Sequence, residues 1–305
     1  MTKPTRGFTL VELLVVVAII ALLIGVLVPA IAGARNAGRA TVSLSQMRQL
    51  ATGWAIYCMD EDEVIVPGQA GRYGDEKRNI VDVGNGKHYR PRWFAAIGAK
   101  SGIYAYDVPS IDPDDEHSYP VTNAALLCPM VPDWVSTRNY PYGYNYQFLG
   151  NSRFKGDSES RGFVHYPVRH SQIRTYAGTV MFASCMGTAA GKPEAARVPN
   201  LTDGSRHPQG LALGGHGYAL DPPRLTSTSD FADTRLPGFE HRSGPDPRYA
   251  GKVHVTFCDG STRAMSIREL GYEMDAQGRM LPDGPSATNG LFSGRGSDDD
   301  PPPAT

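Results

Sequence analysis

The chain of 305 residues has almost no excess charge: 30 Lys and Arg face 31 Asp and Glu, a formal net charge of -1. Without a basic surplus there is no electrostatic case for nucleic acid as a partner. Only four cysteines occur (Cys58, Cys128, Cys185 and Cys258), and no two form a Cys-x-x-Cys pair. This spacing excludes a zinc ribbon and a thioredoxin-type dithiol. In an oxidising compartment all three complete disulfide pairings stay open. HExxH, GxSxG and P-loop patterns are missing, as is GxGxxG before a helix, and the eight histidines are scattered without helix-face metal spacing. Metalloprotease, serine-hydrolase and nucleotide-binding chemistry are therefore not indicated.

What the chain has instead is turn formers and one long apolar run. Its 34 glycines and 24 prolines predict many loops around a modest core. Residues 8–32, from FTLVELLVVVAII onward, are nearly continuous hydrocarbon, long enough to span a bilayer. Three readings compete for them. An ordinary secretory signal would use Lys3 and Arg6 as its basic region and Ala30-Ile31-Ala32 as the cleavage site, but the apolar run is too long and contains an acid. A plain anchor leaves Glu12 unexplained, since a carboxylate within a spanning helix is costly and marks a function or a partner. The third reading is a leader cut before the apolar run.

Arg6-Gly7-Phe8-Thr9-Leu10-Val11-Glu12 resembles the processing site of type IV prepilins and type II secretion pseudopilins. The resemblance implies cleavage between Gly7 and Phe8 by a prepilin peptidase, which also methylates the new terminus at Phe8. Glu12 then becomes the fifth residue of the mature chain and the counter-charge for a neighbouring subunit's terminal amine. Gly25 and Pro29 near the far end of the run fit the same pattern. In this reading residues 1–7 are the leader and 8–32 the transmembrane and filament-core helix. Partners are the prepilin peptidase/methyltransferase, other pilin or pseudopilin subunits and an inner-membrane assembly platform. The N-terminus is cytoplasmic and the body periplasmic, later part of an extracytoplasmic filament. Arg35, Arg39 and Arg48 beyond the span make the charge rule ambiguous, so this orientation rests on the leader.

Beyond Pro29 the pattern turns amphipathic. Ala37, Ala40, Leu44, Met47, Ala51, Trp54 and Cys58 recur at steps of three and four, predicting a helix through residues 33–59 that packs on a body. Asp60-Glu61-Asp62-Glu63 marks its end, because acids oppose the dipole at a helix C-terminus. The expected fold class is α+β, a long N-terminal helix on a loop-rich antiparallel sheet, pilin-like, with the body at residues 60–281. Within it Trp93 to Gly98 predicts a short helix and Gly178 to Ala183 a buried strand. Lys252 to Cys258 alternates, Asp259-Gly260 supplies a hairpin turn and Ser261 to Ile267 returns as the partner strand. A short helix is expected from Ser266 to about Asp275, and residues 282–305, ending DDDPPPAT, are expected to be disordered.

Tyr140, Tyr142, Tyr144 and Tyr146 read as a tyrosine-laden turn over the sheet rather than a stacking platform, because no basic residues interleave with them. Cys128-Pro129, Tyr142-Gly143-Tyr144-Asn145, and His241 followed by Asp259-Gly260 resemble a group of bacterial prepilin-type proteins common in planctomycetes. The His241-to-Asp259 gap is longer than in that group. His216, in a Gly-rich run, reads as a loop residue, and Asp259 as a turn residue rather than a catalytic acid. The pseudopilin resemblance also raises calcium. Asp112, Asp114, Asp115 and Glu116 offer hard oxygen ligands without EF-hand spacing. The function implied is a structural subunit of a type II secretion pseudopilus or type IV pilus, not an enzyme. The alternative is a membrane-tethered periplasmic protein that binds a glycan or another extracellular ligand.

Overall fold

Thr9 starts the first helix. Its hydroxyl accepts the Glu12 backbone N–H at 3.3 Å while its own N–H donates to Glu12 Oε2 at 2.8 Å, a reciprocal capping box. From there α1 (Leu10–Asp60) runs 51 residues with Pro29 inside it. At the far end Glu61 N–H donates to Tyr57 O, and Asp62 and Glu63 take left-handed backbone angles (φ 51° and 66°) that stop the helix. The computed structural model describes residues 9–114, 121–130, 140–154, 163–198, 213, 217–230, 232 and 241–302.

Only the last third of α1 is buried, through Ser43, Met47, Leu50, Ala51, Gly53, Trp54 and Cys58. The amphipathic stripe was expected to begin at Ala37. Ala37 is instead exposed, and Ala40 and Leu44 are half-buried, because the body first meets the helix at Ser43. Pattern alone marks a face as apolar; it does not say how far the partner surface extends.

A hairpin of β1 (Ile80–Asp82) and β2 (Lys87–Tyr89) leads into α2 (Trp93–Ser101), where the short helix was expected. α2 packs directly on α1, and Gly53 makes the approach possible. A Cβ there would stand 2.5 Å from Ile97 O and 2.8 Å from Ser101 Oγ. Gly53→Ala should therefore cost about 2 kcal/mol despite its better helix propensity, read from a urea midpoint. A neutral or stabilising result would mean the crossing has slack.

The central sheet is antiparallel throughout. β3 (Tyr142–Tyr144) pairs with β6 (Val180–Gly187), β6 with β8 (Val253–Phe257), and β8 with β9 (Thr262–Met265); the two-residue β7 (Gly244–Pro245) also joins β6. Two small hairpins flank it, β4 (Ser152–Phe154) with β5 (Phe163–His165), and β10 (Glu273–Met274) with β11 (Met280–Leu281). One face packs under α1 and α2, with Trp54, Trp93, Tyr144 and Phe182 at its centre. The other buries Val253, Val255, Phe257, Leu270, Tyr272 and Phe292. The hairpin from Asp259-Gly260 forms as expected: Gly260, at φ 80°, donates to Phe257 O, and Asp259 Oδ1 accepts Ser261 N–H at 2.9 Å.

Three expectations are corrected. The tyrosine run is a turn only at its end: Tyr142 and Tyr144 lie in β3, Tyr146 opens the turn that follows, and the rings of residues 140, 142, 144 and 146 are all buried. The segment after Ser266 makes a single turn. Ser266 and Glu269 cap it, but Gly271, at φ 90°, ends it, and a Cβ at that position would stand 2.3 Å from Thr288 O. Residues 282–302 are folded, because Phe292 and Asn289 are fully buried against the second sheet face. Val180 N–H donates to Leu291 O and Asn145 Nδ2 to Phe292 O, so the tail completes the core despite its polar composition.

Candidate assembly site

Residues 10–42 contain no buried position, although Leu10, Leu22 and Val28 are 77%, 70% and 60% exposed. At 1.5 Å per residue this free rod is about 50 Å long. It is long and apolar enough to cross a membrane. An apolar surface of this size in water requires a partner, either lipid or protein.

Glu12 stands one turn into the rod. Its Oε2 accepts both the Thr9 N–H and the Thr9 hydroxyl, each at 2.8 Å, while Oε1 takes no hydrogen bond among the described residues. The free chain thus holds the carboxylate in place and leaves one oxygen open to an incoming cation. Gly7 and Phe8 lie outside the described residues.

Where the rod meets the body, a polar relay anchors it. Ser43 is fully buried; the Tyr249 hydroxyl donates to Ser43 Oγ at 2.6 Å, and Ser43 Oγ lies 3.2 Å from His254 Nδ1. Cys128 Sγ stands 3.0 Å from the Tyr249 oxygen. Since Tyr249 donates to Ser43, the consistent chain runs from Cys128 S–H to Tyr249, to Ser43, to His254 Nδ1. This assigns the histidine proton to Nε2. The Tyr249 and His254 rings stack at 3.5 Å and 5°. Burial, then the Arg248 guanidinium, push the His254 imidazole down to about 4. Alternation presents β8 as one-sided, whereas all five of its residues are buried and His254 faces this relay. The signal available was Ser43, a small polar residue one position before Leu44 of the stripe.

The other sequence-derived candidates do not converge. Asp259 serves its own turn, and His241 leads into the fully buried Arg242 and Ser243. Asp112 and Asp114 are exposed, with Asp112 Oδ1 already accepting Asp114 N–H at 2.9 Å; Asp115, Glu116 and His216 lie outside the described residues. Among the described residues no three His, Cys, Asp or Glu side chains are grouped to hold a metal. The four cysteines are free and buried, and burial pushes the Cys58 thiol up to about 12 and Cys185 to about 11. Neither is a nucleophile at neutral pH. The buried tyrosines offer no stacking face for a glycan.

The fold and this site define a head built on an antiparallel sheet, carried by one exposed apolar helix with a positioned acid at its start. Residues 2–28 match the family model described as the prokaryotic N-terminal methylation motif, so the chain carries a prepilin-type N-terminus. No curated protein and no solved structure matches the chain significantly.

Proposed function

We propose that the chain is a non-enzymatic structural subunit of a type IV pilus or type II secretion pseudopilus. One observation carries this reading: the methylation motif at residues 2–28 runs directly into a helix with no buried residue before Ser43. A prepilin peptidase would cut between Gly7 and Phe8 and methylate Phe8. The chain would wait in the inner membrane with its N-terminus cytoplasmic and its body periplasmic, then bundle through α1 with other pilin or pseudopilin subunits on an assembly platform. The helix fits both stages, since one apolar surface suits lipid and a bundle of like helices alike. The likeness of the body to the planctomycete-type group belongs to the same proposal.

Mass spectrometry of the mature N-terminus tests it. A methylated Phe8 is expected. A terminus at Gly33 would identify an ordinary secretory signal and end the pilin reading.

A further inference from the structure

Between Glu12 and Asp60 the chain carries no acid, and its only charges are Arg35, Arg39 and Arg48. Arg35 and Arg39 stand one helical turn apart on one side of α1, in the part of the helix that contains no buried residue. Both are exposed, and neither forms a hydrogen bond or ion pair among the described residues. Their own helix supplies no counter-charge, and the body first meets α1 beyond them, at Ser43.

Their height along α1 is the second observation. Leu10 to Ala32 measures about 34 Å, enough to cross a hydrocarbon layer of about 30 Å. Arg35 then stands about 5 Å past the end of the apolar run and Arg39 about 10 Å past it, at the level of the lipid headgroups. Helical side chains lean toward the N-terminus, here toward the membrane, so both guanidiniums reach back to the phosphates. Arg48 is about 24 Å past Ala32, more than two screening lengths away.

We propose that Arg35 and Arg39 bind the headgroups of anionic phospholipids in the leaflet nearer the body. The inference rests on reading α1 as a membrane span, and adds to that reading a preference for one lipid charge. Charge complementarity names the occupant. Two guanidiniums without counter-ions suit phosphates, which arginine meets with paired N–H groups, and a zwitterionic lipid brings a competing ammonium. The same pair gives a task to cations that otherwise blur the charge rule: they hold the depth of the waiting chain rather than its direction.

The test uses the full chain in dodecyl maltoside micelles, with Lys3→Gln and Arg6→Gln to remove the cations that precede the span. Native mass spectrometry reads the lipids retained as dioleoylphosphatidylglycerol or dioleoylphosphatidylcholine is added. The phosphatidylglycerol should bind about tenfold more tightly. Arg35→Gln with Arg39→Gln should abolish that preference, while Arg48→Gln should leave it within about twofold. A thermal melt of each variant confirms that the body is folded. Equal retention of the two lipids, a preference that survives the double variant, or an equal loss in Arg48→Gln would overturn the proposal. So would displacement of the lipid by inorganic phosphate, which would mark a site for soluble anions, or by an octaglutamate peptide, which would mark a surface for an acidic protein. The lipid result is measured on the uncut chain, so its failure leaves the pilin reading standing, and a mature terminus at Gly33 would end that reading without altering it.

Discussion

Glu12→Ala should still be cut after Gly7 but should vanish from filaments. Cleavage depends on the leader and the Gly7-Phe8 junction, which the substitution leaves intact. Assembly, in the reading proposed above, depends on a carboxylate meeting the terminal ammonium of a neighbour in an apolar core, where a lone buried ammonium is strongly unfavourable. In the free chain Thr9 holds Oε2 with two donors at 2.8 Å, and Oε1 takes no hydrogen bond among the described residues. Alanine removes both the cap and the charge, so a second variant is needed. Glu12→Gln keeps a side-chain oxygen for the Thr9 donors but carries no charge. If the charge governs register, both variants should be processed and both absent from sheared filament fractions on immunoblots. Normal incorporation of Glu12→Gln would reduce Glu12 to a helix cap.

The parts of this structure legible from sequence are those decided locally. The helix over the apolar run and the steps after it, the Asp259-Gly260 turn and the strand at residues 253–257 each depend on near neighbours, and each element forms where expected, although the helix is buried only from Ser43 onward and the strand is buried on both faces. The misreadings share a cause: burial imposed from far along the chain. Tyr142 and Tyr144 read as turn residues, yet both lie in β3. In the fold Gly143 lets β3 lie against β6, since a Cβ there would stand 2.9 Å from Cys185 Sγ. The tail looked disordered by composition, yet Phe292 fills the second sheet face and Asn289 bonds to both Arg224 and Asp299. The anchoring relay was equally hidden, because Ser43 and His254 are 211 positions apart. The N-terminal motif was legible because it is linear: residues 2–28 match the methylation motif through their order along the chain and need no tertiary contact.

Acid should loosen the hold of the body on α1 well before carboxylates protonate in bulk. His254 titrates near 4 in the folded chain, pushed down by burial and then by Arg248, against about 6.5 when unfolded. A histidine with a depressed folded value gives its full stabilisation above pH 6.5 and loses it as pH falls from about 6.5 to about 4, because only the unfolded state takes the proton there. Allowing for solvent screening, the loss is about 2 kcal/mol for this residue. His165 adds to it in the same window: burial also moves it to about 4, with its ring set between Ser152 Oγ at 2.8 Å and Arg72 O at 3.0 Å. Below pH 4 the histidine contribution should level off. Urea midpoints of the full chain in micelles, followed by the near-ultraviolet signal of the buried Trp54 and Trp93, should fall across that window. His254→Gln should be less stable at pH 7, having lost the stack on Tyr249, but its stability should decline less steeply with acid. An unchanged slope in that variant would mean that His254 is already hydrated, and that the relay through Ser43 is not what holds the rod to the body.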